Sequence, residues 1–338
     1  MADQWRRPEV DAAHSGNSPA VTSESSGSRL ELQDSQSNLT DRYPGWSARI
    51  RAWIRALRPT QWTKNILILL PALAAHVAFS WSVMSTLALG LLVFSMAASA
   101  VYLVNDIVDL PHDRRHPTKR LRPIAAGGLS VPIAIVTAVV LLLVAAVLAT
   151  ALPLGFGLSV LGYFALTFAY SLTLKRRVLV DVVCLAALYT SRVFAGSFLL
   201  GTGLSDWFLA FFIFIFVSLA LVKRLVEIRS TPLGPNDRLA GRGYMAADVP
   251  LLIGLGAATS VASTLVYCLY IASPGSDDLY RHPIFLWMAF PLLLYWQARM
   301  WLLTSRGVMD DDPVLFAVRD RTSYIVIGLI ALLVWMAT

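Results

Sequence analysis

Residues 83–113 read VMSTLALGLLVFSMAASAVYLVNDIVDLPHD. Positions 83–104 carry no charge and are mostly apolar, enough helix at 1.5 Å per residue to cross a hydrocarbon core of roughly 30 Å. The apolar run then gives way at once to Asn105, Asp106, Asp109 and Asp113. Asp106, Asp109 and Asp113 stand at i, i+3 and i+7, and Asn105 and Asp109 at i, i+4. If the helix continues that far, their oxygens share one face. Pro111 threatens the last turn. One stretch therefore predicts both a membrane span and a polar cluster at its end.

Similar apolar runs recur at about 65–81, 83–104, 131–150, 153–172, 180–200, 206–222, 248–272, 283–303 and 322–338. Most approach the ~20 residues that a bilayer demands. The sequence thus predicts an all-α, polytopic membrane helix bundle of about nine transmembrane helices. Composition agrees, since 57% of the 338 residues are hydrophobic and 14% charged, against about 25% charged in soluble domains. The connections sort by charge. Arg114, Arg115, Lys119, Arg120 and Arg122 lie in 105–129, Lys175, Arg176 and Arg177 in 173–179, Lys223, Arg224, Arg229, Arg238 and Arg242 in 223–247, and Arg306, Arg319 and Arg321 in 304–321. The intervening connections are nearly bare. By the positive-inside rule, the N-terminus and these four loops are cytoplasmic, and the C-terminus lies outside the cell membrane. That bias explains much of the +7 net charge without a nucleic-acid partner.

Residues 1–45 are rich in Ser, Asp, Glu, Gln and Asn and cannot bury a core, so they read as a disordered cytoplasmic tail. They lack the apolar stretch of a secretory signal peptide. In 46–58, Trp46, Ile50, Trp53, Ile54 and Leu57 recur at helical spacing among Arg49, Arg51, Arg55 and Arg58. This is the pattern of a basic amphipathic helix lying on an anionic leaflet. Residues 59–338 form the transmembrane domain. Cys184 and Cys268 fall inside apolar runs and read as packing residues, not a disulfide or metal pair.

Three carboxylates at one membrane surface repel one another unless a cation sits between them. Hard oxygen ligands favour Mg²⁺, which binds through a few carboxylates plus substrate phosphate. The plainer reading, a solvated acidic loop, has no need of acids on one stripe. Directly downstream, 114–124 (RRHPTKRLRPI) supplies Arg and Lys for phosphate oxygens. Three further clusters share that face: 58–65 (RPTQWTKN), 170–175 (YSLTLK) with Asp181 six residues on, and 223–227 (KRLVE). Lys64, Lys175 and Lys223 equally suit snorkelling anchors at helix ends. Arg192 differs. It sits inside a span, where an ionised side chain costs roughly 2.5–3.5 kcal/mol on insertion scales, so it should face a polar cavity or an acidic partner.

At this point the residues carry a resemblance. Asn-Asp-x-x-Asp-x-x-x-Asp at a cytoplasmic helix end, in a bundle of this size, resembles the UbiA superfamily of intramembrane prenyltransferases. Within it, Arg-Pro-x-Gln-Trp-x-Lys-Asn at 58–65, Asp-Arg-x-His-Pro-x-Lys-Arg-x-Arg-Pro-Ile at 113–124, and Leu174-Lys175 with Asp181-Val182 are similar to the decaprenyl-phosphate phosphoribosyltransferase branch of cell-wall arabinan synthesis. The resemblance covers roughly residues 50–338. It implies a Mg²⁺-dependent pentosyltransferase that moves 5-phosphoribose from 5-phosphoribosyl 1-diphosphate to a polyprenyl phosphate. Asn105, Asp106, Asp109 and Asp113 would hold Mg²⁺-diphosphate, with Asn105, Asp109 and Asp113 as metal ligands and Asp106, Asp109, Asp113 and Asp181 as catalytic acids. Asn105, Lys119 and Arg122 would bind the donor, and Lys64, Tyr170, Lys175, Arg192, Lys223 and Arg224 would serve the other phosphates and substrate groups. The family also permits a homo-oligomer, a trimer included.

One departure matters. Aromatic prenyltransferases commonly show a second Asp-x-x-x-Asp, but here Leu185 follows Asp181 four residues on, amid prominent basic residues. A prenyltransferase with a prenyl diphosphate donor and an aromatic or isoprenoid acceptor shares the acid stripe but leaves those cations without a role. A secondary transporter places ionisable groups near the midplane, whereas here all but Arg192 gather at one surface. The implied nucleophile is an anionic phosphate, in keeping with the lack of a convincing Ser/His/Asp or Cys/His set.

Overall fold

A computed structural model of the chain describes residues 45–76, 80–115, 118–232, 234, 237–239, 241–309 and 312–338. The expected tail, apart from Gly45, lies outside them. Among the described residues the regular structure is helical, and the one β-type contact is an isolated Arg238–Met245 bridge. Helix α1 (Trp46–Ala56) leads into a 3-10 stretch, Pro59–Leu69, and the short α2 (Leu70–Ala74). Next come α3 (Trp81–Val108), α4 (Leu110–Asp113), α5 (Val131–Ala149), α6 (Leu154–Leu172), α7 (Val180–Leu200) and α8 (Asp206–Ser230). The chain ends with α9 (Val249–Ile271), α10 (Pro274–Leu279), α11 (Ile284–Ser305), α12 (Pro313–Ala317) and α13 (Arg321–Ala337).

Six helices are long and apolar enough to cross a membrane: α3, α5, α6, α7, α8 and α9, the last with its leading turn from Ala246. The chain is a multi-pass membrane protein. The expected count of about nine is not reached by that measure among the described residues, for three local reasons. The run at 65–81 is not one helix, because Pro71 has no N–H for the carbonyl four residues back and the preceding residues wind as a 3-10 helix. Helix α11 carries Pro291, Gln297 and Arg299 within it. Helix α13 has 17 residues.

Helix α7 is the shared wall of the bundle. Leu188, Ala195 and Leu199 pack with Ile68, Phe94 and Phe156, while Ala186, Tyr189 and Val193 pack with Phe216, Trp296 and Met300. Helices α5 and α6 instead turn most of their apolar surface outward, as lipid-facing helices do. In α1, Ala52 and Ala56 are buried and Trp53 Nε1 donates to Thr137 Oγ1 at 3.1 Å, leaving Trp46, Ile50 and Ile54 exposed beside the arginines. Cys184 and Cys268 are free thiols.

Gly196 lets the 3-10 stretch lie directly on α7, since a Cβ there would come within 2.0 Å of the Ile68 carbonyl oxygen. The obstacle is backbone, not a flexible side chain. Gly196→Ala should therefore cost about 1–3 kcal/mol and push Lys64 and Asn65 away from α7. Chemical denaturation in detergent micelles checks this, and an unchanged midpoint would contradict it.

Candidate active site

The acid stripe survives the end of α3. Asp109 N donates to the Asn105 carbonyl at 2.8 Å and Asp113 N to the Asp109 carbonyl at 2.9 Å, so the turn continues into α4. Pro111 falls in the first turn of α4, where its missing N–H costs nothing. Asp106 and Asp113 are 2% and 3% exposed. Arg122 Nη1 bridges them, 3.2 Å from Asp106 Oδ1 and 2.7 Å from Asp113 Oδ2. Arg58 Nη2 adds a second contact to Asp106 Oδ1 at 2.5 Å, its guanidinium 5.0 Å from the Tyr102 ring centre. Asp109 is reached instead by Lys175 Nζ, at 3.5 Å, and stays partly open. Asn105 is half-buried beside it, and Lys119 lies exposed in the 3-10 turn Lys119–Leu121.

Among the described residues, no three of His, Cys, Asp or Glu gather closely enough to cage a cation alone. Yet Asp106 Oδ2 is buried with no hydrogen-bond partner. Mg²⁺ takes one or two carboxylates and fills its shell with substrate phosphate and water. The orphaned Asp106 oxygen and the open Asp109 meet that smaller demand, while Asp113 is committed to Arg122. The residues fit an ion that arrives with a phosphorylated ligand.

A second cluster faces the same end. Asp181 and Arg224 are fully buried, with Arg224 Nε 2.8 Å from Asp181 Oδ2 in an ion pair too poorly aligned for a hydrogen bond. Tyr244 Oη donates to Asp181 Oδ1 at 2.5 Å and accepts from Leu179 N at 2.9 Å. Arg224 also pairs with Glu227, which Arg242 Nε approaches to 3.5 Å. Tyr170 Oη accepts from Arg242 Nη1 at 2.5 Å and from Arg224 Nη2 at 3.4 Å. Asp181, expected to be catalytic, and Arg224, expected to bind substrate, are paired with each other here.

The third cluster penetrates the bundle. Lys64, 7% exposed, pairs with Asp312, which also caps α12 by accepting from Leu315 N. Burial opposes ionisation of Asp312, but the charges of Lys64 and Lys223 outweigh it and hold the carboxyl below its usual range. A carboxyl depressed in the folded state stabilises the fold above the unfolded pKa of about 4. That contribution is lost as pH falls through the folded value. The melting-temperature gap between wild type and Asp312→Asn should therefore close on acidification below about pH 4; a gap constant from pH 7 to 3 would contradict this.

Arg192 lies eleven residues beyond Asp181 on α7, about 16 Å deeper at 1.5 Å per residue. Among the described residues no carboxylate pairs with it. Its Nε donates to Asn65 Oδ1 at 3.1 Å, Nη1 to the Leu188 carbonyl and Nη2 to Tyr163 Oη at 3.3 Å. The Phe94 and Tyr163 ring centres lie 5.3 and 4.7 Å from its guanidinium, so π faces and neutral oxygens take the place of a counter-ion. Of the two surroundings expected for it, the acidic partner is not found among the described residues, and neutral polar groups surround it instead.

Several participants were not singled out by sequence. Asp312 precedes Pro313, the pairing of cap and first helical residue that marks a helix start, so a signal existed. Tyr244 and Tyr163 gave none.

Acids and cations thus interleave at one end of the membrane bundle. Residues 66–325 match the UbiA prenyltransferase family, and the chain belongs to it. The chain is 39% identical to uncharacterized protein y4nM of Sinorhizobium fredii over 85% of its own length, spanning 56% of that relative. It is 32% identical to nodulation protein NoeC of Azorhizobium caulinodans, over 86% of this chain and 95% of that one. It is 33% identical to decaprenyl-phosphate phosphoribosyltransferase of Mycobacterium tuberculosis, over 84% and 92% respectively. The fold resembles that of a UbiA homolog from Archaeoglobus fulgidus solved with GPP and Mg²⁺, with TM-score 0.63 and 17% identity over 84% of this chain and 99% of that one.

Proposed function

We propose that the protein transfers 5-phosphoribose from 5-phosphoribosyl 1-diphosphate to a polyprenyl phosphate at the cytoplasmic face of the cell membrane, releasing diphosphate and supplying a cell-wall arabinan precursor. The observation that carries this reading is the number of separate cationic groups. Arg58, Arg122 and Lys175 accompany the acid stripe, and Lys64, Lys223 and Arg242 form a further group of cations, with Lys223 in the field of the other two. A prenyl diphosphate has one charged end. A phosphoribosyl diphosphate carries phosphate at two positions, and the acceptor brings a third. The M. tuberculosis relative, covered over 92% of its length, bears the name of this activity.

Bound Mg²⁺ would neutralise the diphosphate leaving group. Asp106 and Asp109 would hold it, assisted by Asn105, while Arg122 fixes Asp106 and Asp113 in place. Lys119 and Lys175 would take phosphate oxygens of the donor. The bond from ribose C1 to the diphosphate oxygen breaks as an acceptor phosphate oxygen attacks C1 from the opposite side, inverting its configuration. That oxygen is already anionic, so no side chain has to remove a proton. Positioning and charge stabilisation then do the catalysis. Helix α1 would anchor the active face to the leaflet through Trp46, Ile50 and its arginines.

The test is turnover of purified protein with donor labelled in the ribose and with decaprenyl phosphate. A labelled, chelator-sensitive lipid product is expected. Failure to form it, with prenylation of an aromatic acceptor from prenyl diphosphate instead, would overturn the reading.

A further inference from the structure

A cavity of about 550 Å³ has none of the acid-stripe residues in its lining. Its lining includes Gln61, Val226 and Arg229 near the end of α8, Met309 after α11, and Asp312, Leu315 and Arg319 around α12. Arg229 Nη1 donates to the Thr304 and Ser305 carbonyls at 3.0 and 2.9 Å, which fixes the guanidinium against the end of α11. Its remaining N–H groups have no partner among the described residues. Arg319 is exposed and makes no ion pair within 4.0 Å among the described residues. Val226, Met309 and Leu315 supply apolar wall. Asp312 closes one side, already paired with Lys64 and within the field of Lys223. Arg229 and Arg319 thus line the cavity, with Lys64 and Lys223 behind it around Asp312. Guanidinium groups on an apolar-walled pocket suit an amphiphile with a phosphate head, and the volume falls within the range of small-ligand sites.

We propose that this cavity is a second phosphate-binding subsite that takes the head and first isoprene units of a lipid phosphate. The inference rests on the proposed function only in identifying that lipid as the acceptor. Arg229 and Arg319 grip the phosphate, and the chain leaves along Val226, Met309 and Leu315. Asp312 is the resident anion that keeps Lys64 ordered next to the arriving head group.

The experiment is binding, so it does not depend on turnover. Full-length protein in phosphatidylcholine nanodiscs is titrated with farnesyl phosphate, farnesol, inorganic phosphate and 5-phosphoribosyl 1-diphosphate, read by native mass spectrometry. Wild type should prefer farnesyl phosphate to both farnesol and inorganic phosphate. Arg319→Ala should weaken farnesyl phosphate about tenfold, the scale of one charge-assisted hydrogen bond, and Arg229→Ala/Arg319→Ala more. Arg319→Lys should keep part of the affinity. Affinity for 5-phosphoribosyl 1-diphosphate should stay as in wild type, which also reports an intact fold. Unchanged farnesyl phosphate binding in Arg319→Ala and in the double variant would overturn the subsite. An equal fall for the donor would overturn its separateness, and inorganic phosphate binding as well as the lipid would overturn the lipid assignment. Absent phosphoribosyl transfer would sink the proposed function while leaving this binding result standing.

Discussion

Asp109→Ala is expected to lower Mg²⁺-dependent turnover at least about 10²-fold while leaving the melting temperature nearly unchanged. The asymmetry comes from burial. The Asp109 side chain is 37% exposed and its one ion pair among the described residues, to Lys175, is 3.5 Å long, a contact worth at most about 1 kcal/mol. Asp113→Ala is a poorer test, because it strips a nearly buried carboxylate from Arg122 and mixes folding with function. Turnover against Mg²⁺ concentration, beside thermal denaturation, separates the two. Wild-type activity in Asp109→Ala would refute the assigned metal role.

Why Asp109 was legible follows from local periodicity. Asn105, Asp106, Asp109 and Asp113 sit within nine residues of one another, so helical spacing alone gathers them, and the backbone does carry the turn through. Spans such as α3 and α5 were legible for the same reason, since apolar length is a property of contiguous sequence. The division of labour within the stripe was not. That Arg122 would claim Asp106 and Asp113 and leave Asp109 to Lys175 depends on how loops fold back across the bundle. Asp312 on Lys64 and Tyr244 on Asp181 are likewise contacts between distant segments. By apolar length and composition alone the count of nine is not confirmed, because proline or interior polar residues interrupt the apolar run at Pro71 and at Gln297 and Arg299.

Arg224→Met is expected to destabilise the fold by about 3–5 kcal/mol, a large share of the 5–15 kcal/mol typical of a domain. Both charges of the Asp181–Arg224 pair are fully buried. Removing the cation leaves Asp181 with the Tyr244 hydroxyl as its remaining side-chain donor and frees Glu227 from one of its two arginines. Replacing both partners, as in Asp181→Leu/Arg224→Met, should recover much of the loss, because an apolar pair incurs no desolvation cost. Denaturation midpoints of the two singles and the double measure the coupling directly. A substrate-binding role for Arg224 predicts otherwise: activity lost at unchanged midpoint. That outcome would reassign the pair from architecture to ligand recognition.

The guanidinium of Arg192 has a bearing on biogenesis. A helix carrying that charge is poorly suited to lipid on its own, and the side chains that shield it among the described residues come from earlier helices or stretches: Asn65, Phe94 and Tyr163. Vectorial synthesis delivers those escorts first. Helix α7 can therefore partition into a pre-formed polar berth as it leaves the translocon, and the amino-terminal half of the bundle acts as an assembly chaperone for its own central helix.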